Sequence, residues 1–210
     1  MEAGLYQVSI SIGMSWNKYY QAPLSLEGLL SNLHGQKEFL SVIAEQPAQT
    51  LLEVGTGSGA MSIFFSWLGR TVTAIDLESD VISKAEQEAA HFHGQVAFAV
   101  ADAFHLPYPD HSFDLAFHQG LLEHFADDQI HQLLNEQLRV AKQVVFSVPN
   151  QYYPRKDYGN ERLMSRTQWE NILSPYRILR SEYYSPKRFP KWYLFRPKIQ
   201  YLAVITLKHE

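Results

Sequence analysis

The stretch Thr50-Leu51-Leu52-Glu53-Val54-Gly55-Thr56-Gly57-Ser58-Gly59 decides how this chain is read. A short apolar run, interrupted by Glu53, ends in three glycines at alternate positions. That is a buried strand entering a glycine turn. Ala60 to Trp67 follows, apolar enough for a buried helix, and Gly69 ends it. Working outward, Thr71 to Ile75 is a second strand closed by Asp76, and Glu78 to His91 is a helix with a polar face. Gln95 to Val100 and Phe113 to Phe117 are the third and fourth strands. Glu123 to Ala141 reads as mostly helix, and Gln143 to Val148 as a fifth strand stopped by Pro149-Asn150. Upstream, Asn32 to Glu45 reads as a helix that stops before Pro47. Strands alternating with helices call for a parallel sheet covered on both faces. After Asn150 the rhythm changes: Ser165 caps a short helix, and Arg177–Tyr184 and Tyr201–Leu207 are two late strands able to pair antiparallel at one edge.

With 210 residues the chain is one ordinary domain, and 46% hydrophobic against 19% charged residues excludes a mainly disordered protein. The absence of cysteine removes disulfides, a thiol nucleophile and thiolate metal sites. No apolar stretch approaches the roughly 18 residues of a membrane span. Met1 to Ile12 carries Glu2 but no Lys or Arg, unlike the basic start of a secretory signal. A cytoplasmic protein is expected, with no membrane partner. Charge is unevenly spread: residues 1–150 hold 6 Lys+Arg against 17 Asp+Glu, and residues 151–210 hold 12 against 5, together with 12 of the 28 aromatics.

In an open parallel sheet, ligands sit beyond the carboxyl ends of the strands, where the Gly55–Gly59 turn lies. Glycines let a ligand approach the main chain, and the next helix points free N–H groups at it. The turn therefore points to a nucleotide-like cofactor. Gly55-x-Gly57-x-x-Ala60 also fits the dinucleotide fingerprint of nicotinamide enzymes, and Asp76, 21 residues after Gly55, would hold a ribose in either reading. No Gly-Lys-Ser/Thr follows, so it is not a phosphate-binding P-loop.

Four further runs separate the readings: Asp102-Ala103, Leu106-Pro107-Tyr108, Phe113-Asp114-Leu115-Ala116-Phe117 and Leu121-Leu122-Glu123-His124-Phe125. With Glu53-Val54-Gly55-Thr56-Gly57-Ser58-Gly59 and Asp76 before them, the chain resembles the class I S-adenosylmethionine-dependent methyltransferases, small-molecule branch, from about Leu51 to Pro149. The resemblance implies an α/β fold: a seven-stranded, doubly wound, mostly parallel sheet with an antiparallel C-terminal edge hairpin and helices on both faces. It implies one domain over residues 1–210, with N-terminal cap helices in 1–46, a cofactor core in 47–150, and substrate-side loops and edge strands in 151–210. S-adenosylmethionine would be the cofactor and S-adenosylhomocysteine its product. Glu53, Gly55, Thr56, Gly57, Gly59, Asp76, Leu77, Asp102, Ala103 and Gln119 would bind it. Glu53 would orient the methionine amine, Asp76 the ribose and Asp102-Ala103 the adenine. His118-Gln119-Gly120 is more polar and bulkier than some relatives show.

Methyl transfer from a sulfonium is an in-line displacement in which the protein supplies proximity and alignment. A general base helps a hydroxyl or an ammonium acceptor. The candidates are His118, Glu123 and His124 at the end of the fourth strand. Glu123 could equally serve a helix N-terminus, and His124 could be a satisfied helix residue. His91 and His93 do not share a helix face, and no metal is expected.

The same resemblance brings three segments over the acceptor: Trp16 to Tyr20, Gln151 to Met164, and Pro186 to Lys198. Tyr19, Tyr20, Tyr152, Tyr153 and Arg155 are the candidate substrate residues. The basic aromatic loop 186–198 reads first as a hairpin loop packed on its own domain. A homodimer contact, an acidic acceptor or nucleic acid are its other readings. The acceptor expected is a small molecule. Methylation of RNA or protein, and a non-catalytic cofactor- or partner-binding protein of the same fold, are the alternatives. A nucleic-acid substrate is disfavoured because the net charge is −4 and the Asn-Pro-Pro-Tyr signature of base methylation is absent, the fourth strand ending in Phe117-His118-Gln119-Gly120.

Overall fold

The structure, a computed structural model, describes residues 23–154, 160–185 and 198–208. Strands β1 (Thr50–Val54), β2 (Thr71–Asp76), β3 (Val96–Val100), β4 (Phe113–Gln119), β5 (Ala141–Pro149), β6 (Arg177–Tyr184) and β7 (Gln200–Thr206) form one sheet in the order β3-β2-β1-β4-β5-β7-β6. The pairs among β1 to β5 are parallel; β7 pairs antiparallel with both β5 and β6. The expected edge hairpin is therefore present, with β7 inserted inside β6. Helices α1 (Leu26–Gly35), α2 (Lys37–Ala44), α3 (Ala60–Trp67), α4 (Ser79–His91), α5 (Asp127–Val140) and α6 (Arg166–Ile172) complete the described elements. Among the described residues no helix is long and apolar enough to cross a membrane.

The core divides by sheet face. One cluster packs Leu52, Val54, Ala116, Val144 and Phe146 against Leu133, Leu134 and Leu138 of α5 and Trp169 of α6. The other packs Leu51, Leu115, Phe117 and Val145 against Phe39 and Ile43 of α2 and Phe65 of α3. Consecutive apolar residues, such as Leu51-Leu52, Leu115-Ala116-Phe117 and Val144-Val145-Phe146, occur in these central strands because both faces are covered.

The expected Asn32–Glu45 helix is divided, and the mostly helical Glu123–Ala141 segment contains a break. The Asn32–Glu45 segment is two helices meeting at Gln36, whose Oε1 accepts from the Tyr184 hydroxyl at 2.8 Å. Ser25 caps the first, its hydroxyl accepting from the Gly28 N–H at 3.0 Å. The Glu123–Ala141 segment is a 3-10 turn, Leu122–His124, followed by a break at Phe125-Ala126 and then α5. Arg162 fixes the break by donating from Nη1 to the Phe125 carbonyl at 2.6 Å. The Gln129 side chain accepts from the Ala126 N–H at 3.1 Å, and Asp127 and Asp128 complement the helix dipole. Ser165 caps α6 as expected, in a capping box with Gln168.

Candidate functional site

The strand order reverses between β1 and β4, the topological switch point where such sheets bind ligands. Glu53, next to last in β1, is fully buried. Its Oε2 accepts from the Thr56 hydroxyl at 2.9 Å and from the Ser62 hydroxyl of α3. Its Oε1 is buried with no hydrogen-bond partner among the described residues. Burial pushes the carboxyl up to about 7 against the opposing Ser62 and Thr56 hydrogen bonds, and the Asp76 charge adds to the rise.

The turn after β1 is held open by backbone geometry. The Gly55 and Thr56 N–H groups both donate to the Ile75 carbonyl at 2.9 Å. Gly55, Gly57 and Gly59 all have positive φ. A Cβ on Gly59 would stand 3.2 Å from the Ala85 Cβ of α4, so this position requires glycine on both counts. Asp76 ends β2 beside this turn. Its Oδ2 lies 3.3 Å from the Gly57 N and its Oδ1 3.2 Å from the Glu78 N. Burial raises its pKa. The Leu77 side chain is 59% exposed next to it, an apolar face turned to solvent beside a carboxylate.

Asp102 and Ala103 follow β3. The Asp102 Oδ1 accepts from the Phe104 N–H at 2.9 Å, and its Oδ2 is 3.5 Å from His105 Nδ1. Its side chain is about half exposed. These loops, together with the β1 and β2 ends, lie at the carboxyl end of the parallel strands.

The β4 end differs from expectation at His118. Its ring is fully buried, stacked on Phe146 at 5.5 Å, and neither nitrogen has a partner among the described residues. Burial pushes its pKa down to about 3. A ring held neutral in the core is a weak proton acceptor, which weighs against the general-base role expected of it. Gln119 is half-buried and pairs with Ser147 of β5. The Gly120 N–H donates to the Ser147 carbonyl at 2.9 Å. Glu123 is 3% exposed in the 3-10 turn, and burial, with a contribution from Glu161, pushes it up to about 8. His124 is tied through Nδ1 to Asn160 Oδ1 at 2.8 Å, which gives it a structural task.

Of the candidate substrate residues, Tyr152 and Tyr153 follow β5. Tyr152 is 45% exposed, with its ring edge-on to Tyr183 at 6.2 Å. Tyr19, Tyr20 and Arg155 lie outside the described residues, as do Tyr158 and most of the 186–198 loop.

Residues 51–143 match the methyltransferase domain family. Over that span the chain is similar to methyltransferase domains. The chain is 33% identical over 104 residues to phosphoethanolamine N-methyltransferase 3 of Arabidopsis thaliana, covering 48% of this chain and 21% of that protein. It thus spans about a fifth of that relative's length. In structure it is similar to the PH0226 protein of Pyrococcus horikoshii, with a TM-score of 0.71 at 18% identity, covering 91% of this chain and 99% of the other. It is also similar to magnesium protoporphyrin IX methyltransferase of Synechocystis with bound SAH, with a TM-score of 0.65 at 16% identity over 91% and 92% of the two chains.

Three buried polar residues near these strand ends carried little signal in the sequence. Ser62 is one; its only signal was a hydroxyl in the otherwise apolar first turns of α3. Asn150 is another, fully buried after β5. Its Nδ2 donates to the Lys198 carbonyl at 2.8 Å and its Oδ1 accepts from the Tyr152 N–H at 2.8 Å. It therefore joins the start of the loop after β5 to the residues that lead into β7. Glu161, 4% exposed, is the third.

Proposed function

We propose that this protein transfers a methyl group from S-adenosylmethionine to a small-molecule acceptor by in-line displacement. The observation that carries the reading is the Glu53 Oε1 atom: a fully buried carboxylate oxygen without a partner among the described residues, beside a left-handed glycine turn at the switch point. A buried acceptor of this kind is costly unless a donor completes it, and the methionine ammonium is such a donor. Bound, the cofactor supplies a methyl activated on a sulfonium.

The chain's own residues then divide the work. Thr56 and Ser62 hold one oxygen of Glu53 so that the other is aimed. Asp76 accepts from the ribose hydroxyls, and Leu77 offers an apolar face to the adenine. Asp102 accepts from the adenine amino group, with the Ala103 N–H beside it. Gly55 and Gly120 keep the cleft floor free of side chains; a Cβ on either would stand 3.5 Å from Leu121 Cδ1 or Glu123 Oε1. A small-molecule acceptor is supported by the names of relatives that act on phosphoethanolamine and magnesium protoporphyrin.

Calorimetry tests the cofactor. S-adenosylhomocysteine should bind and NAD should not; the reverse would sink the reading. Asp76→Ala removes two charge-assisted hydrogen bonds and should weaken S-adenosylhomocysteine binding roughly 100-fold. Unchanged affinity in a variant with a normal melt would remove Asp76 from the ribose.

A further inference from the structure

The second buried carboxylate at the switch point has no task in cofactor binding. Glu123 lies in the 3-10 turn directly after β4, on the opposite side of the switch point from β1. Its Oε1 is 3.5 Å from where a Cβ on Gly120 would stand, so the carboxylate closes against a bare Cα at the end of β4. Its Oε2 is buried with no hydrogen-bond partner among the described residues. Nearby charge makes this worse rather than better. Glu161 is also buried and opposes ionisation of Glu123. The adjacent cation, Arg162, is committed elsewhere: Nη1 donates to the Phe125 carbonyl and Nη2 to Asp127 Oδ1, both at 2.6 Å.

The turn that carries the carboxylate is itself held down. The Arg162 N–H donates to the Glu123 carbonyl at 2.8 Å, and Asn160 ties His124. The segment 160–162 thus straps the turn down at Glu123 and His124. A buried carboxylate short of a donor complements a compact cation carrying N–H groups.

We infer that Glu123 binds the methyl acceptor, and that the acceptor is an amine taken up as its ammonium. The inference rests on the methyl-transfer reading. The ammonium gives one proton to Glu123. The freed nitrogen lone pair forms the C–N bond as the C–S bond breaks, and the bonding pair stays on sulfur. The products are a methylated ammonium, neutral thioether and a protonated Glu123, which loses its proton to solvent.

The test uses analogues of S-adenosylhomocysteine in which a nitrogen replaces sulfur and carries a 3-aminopropyl, an n-butyl or a 2-carboxyethyl arm. Calorimetry on the full chain gives their affinities beside that of S-adenosylhomocysteine. The aminopropyl analogue should bind the wild type about tenfold tighter than the butyl analogue, and the carboxyethyl analogue weakest, as one charge-assisted hydrogen bond predicts. In Glu123→Gln that preference should fall to less than about twofold while S-adenosylhomocysteine affinity holds, which also shows that the variant folds. The wild-type ranking decides alone if the variant does not fold. Equal binding of the butyl and aminopropyl arms, or preference for the carboxyethyl arm, overturns the amine. Failure of S-adenosylhomocysteine itself to bind the wild type overturns the cofactor reading first.

Discussion

Replacing Glu53 with Gln should move stability and ligand affinity in opposite directions, and pH should separate the two effects. In the empty protein the carboxyl is pushed from 4.5 to about 7 by burial. The folded state therefore holds a proton that the unfolded chain releases above 4.5. Stability from this group is fully present below 4.5 and is lost as pH rises to about 7. At about 1.4 kcal/mol per pH unit over that interval, the empty wild type forgoes about 3 kcal/mol at pH 8. Glutamine has the same shape and no charge. Its carbonyl can still accept from Thr56 and Ser62, so it should recover much of that amount. For a chain of this size the gain is about 5–10 °C in melting temperature. At pH 4.5 the two proteins should melt together. S-adenosylhomocysteine should meanwhile bind Glu53→Gln at least tenfold more weakly, because an amide NH2 faces the ammonium where a carboxylate oxygen should be. Melts at pH 4.5 and 8 with and without ligand measure all four quantities. An equal shift at both pH values, or a variant less stable at pH 8, would refute the claim that Glu53 is a costly buried acid awaiting a cation.

His118 behaves with the opposite sign. Its pKa falls from 6.5 to about 3, so its stability contribution is present above 6.5 and is lost as pH falls toward 3. The wild type should lose about 2 kcal/mol between pH 7 and 5 from this ring alone, and His118→Phe should abolish that part, as read by urea denaturation at both pH values. Gly59→Ala should destabilise by about 1–3 kcal/mol in the same assay, from a positive φ and a Cβ driven against Ala85.

Element types were legible where punctuation was local. Gly59 and Gly69 bracket α3 and Gly55 ends β1, and the reading of Ala60–Trp67 and Thr50–Val54 coincides with the structure. Arg177–Tyr184 does too. The divided helices were not legible, because their breaks are fixed from a distance: Gln36 by Tyr184, and Phe125 by Arg162. The site shows the same limit. The glycine turn, Glu53 and Asp76 stand in one local pattern that predicts their shared edge. His118 also stands at a strand end, but a central strand covered on both faces has no apolar alternation to say which way a side chain points. Ser62, Asn150 and Glu161 owe their places to contacts across the fold, which no neighbouring residue announces.

Three titratable groups near the switch point are buried and short of partners, and their chemistry divides them. Burial drives every such group toward its neutral form. For His118 the neutral form is the ordinary one above pH 6.5, so the ring can remain in the core against Phe146 without resisting its usual state. For Glu53 and Glu123 the neutral form is the unusual one, and both carry a penalty at physiological pH that a bound cation would remove. Both acids sit where β1 and β4 end, the two strands that part at the switch point; His118 also stands at the end of β4, but its ring packs on Phe146. The first 150 residues, acidic overall, thus place two of their buried acids where two cationic groups would meet: an ammonium on the cofactor and an ammonium on the acceptor. The loop strap at Asn160 and Arg162 fixes the second acid from the basic last third of the chain. The two halves of the charge distribution therefore meet in one site, the acidic half supplying the carboxylates and the basic half holding one of them in place.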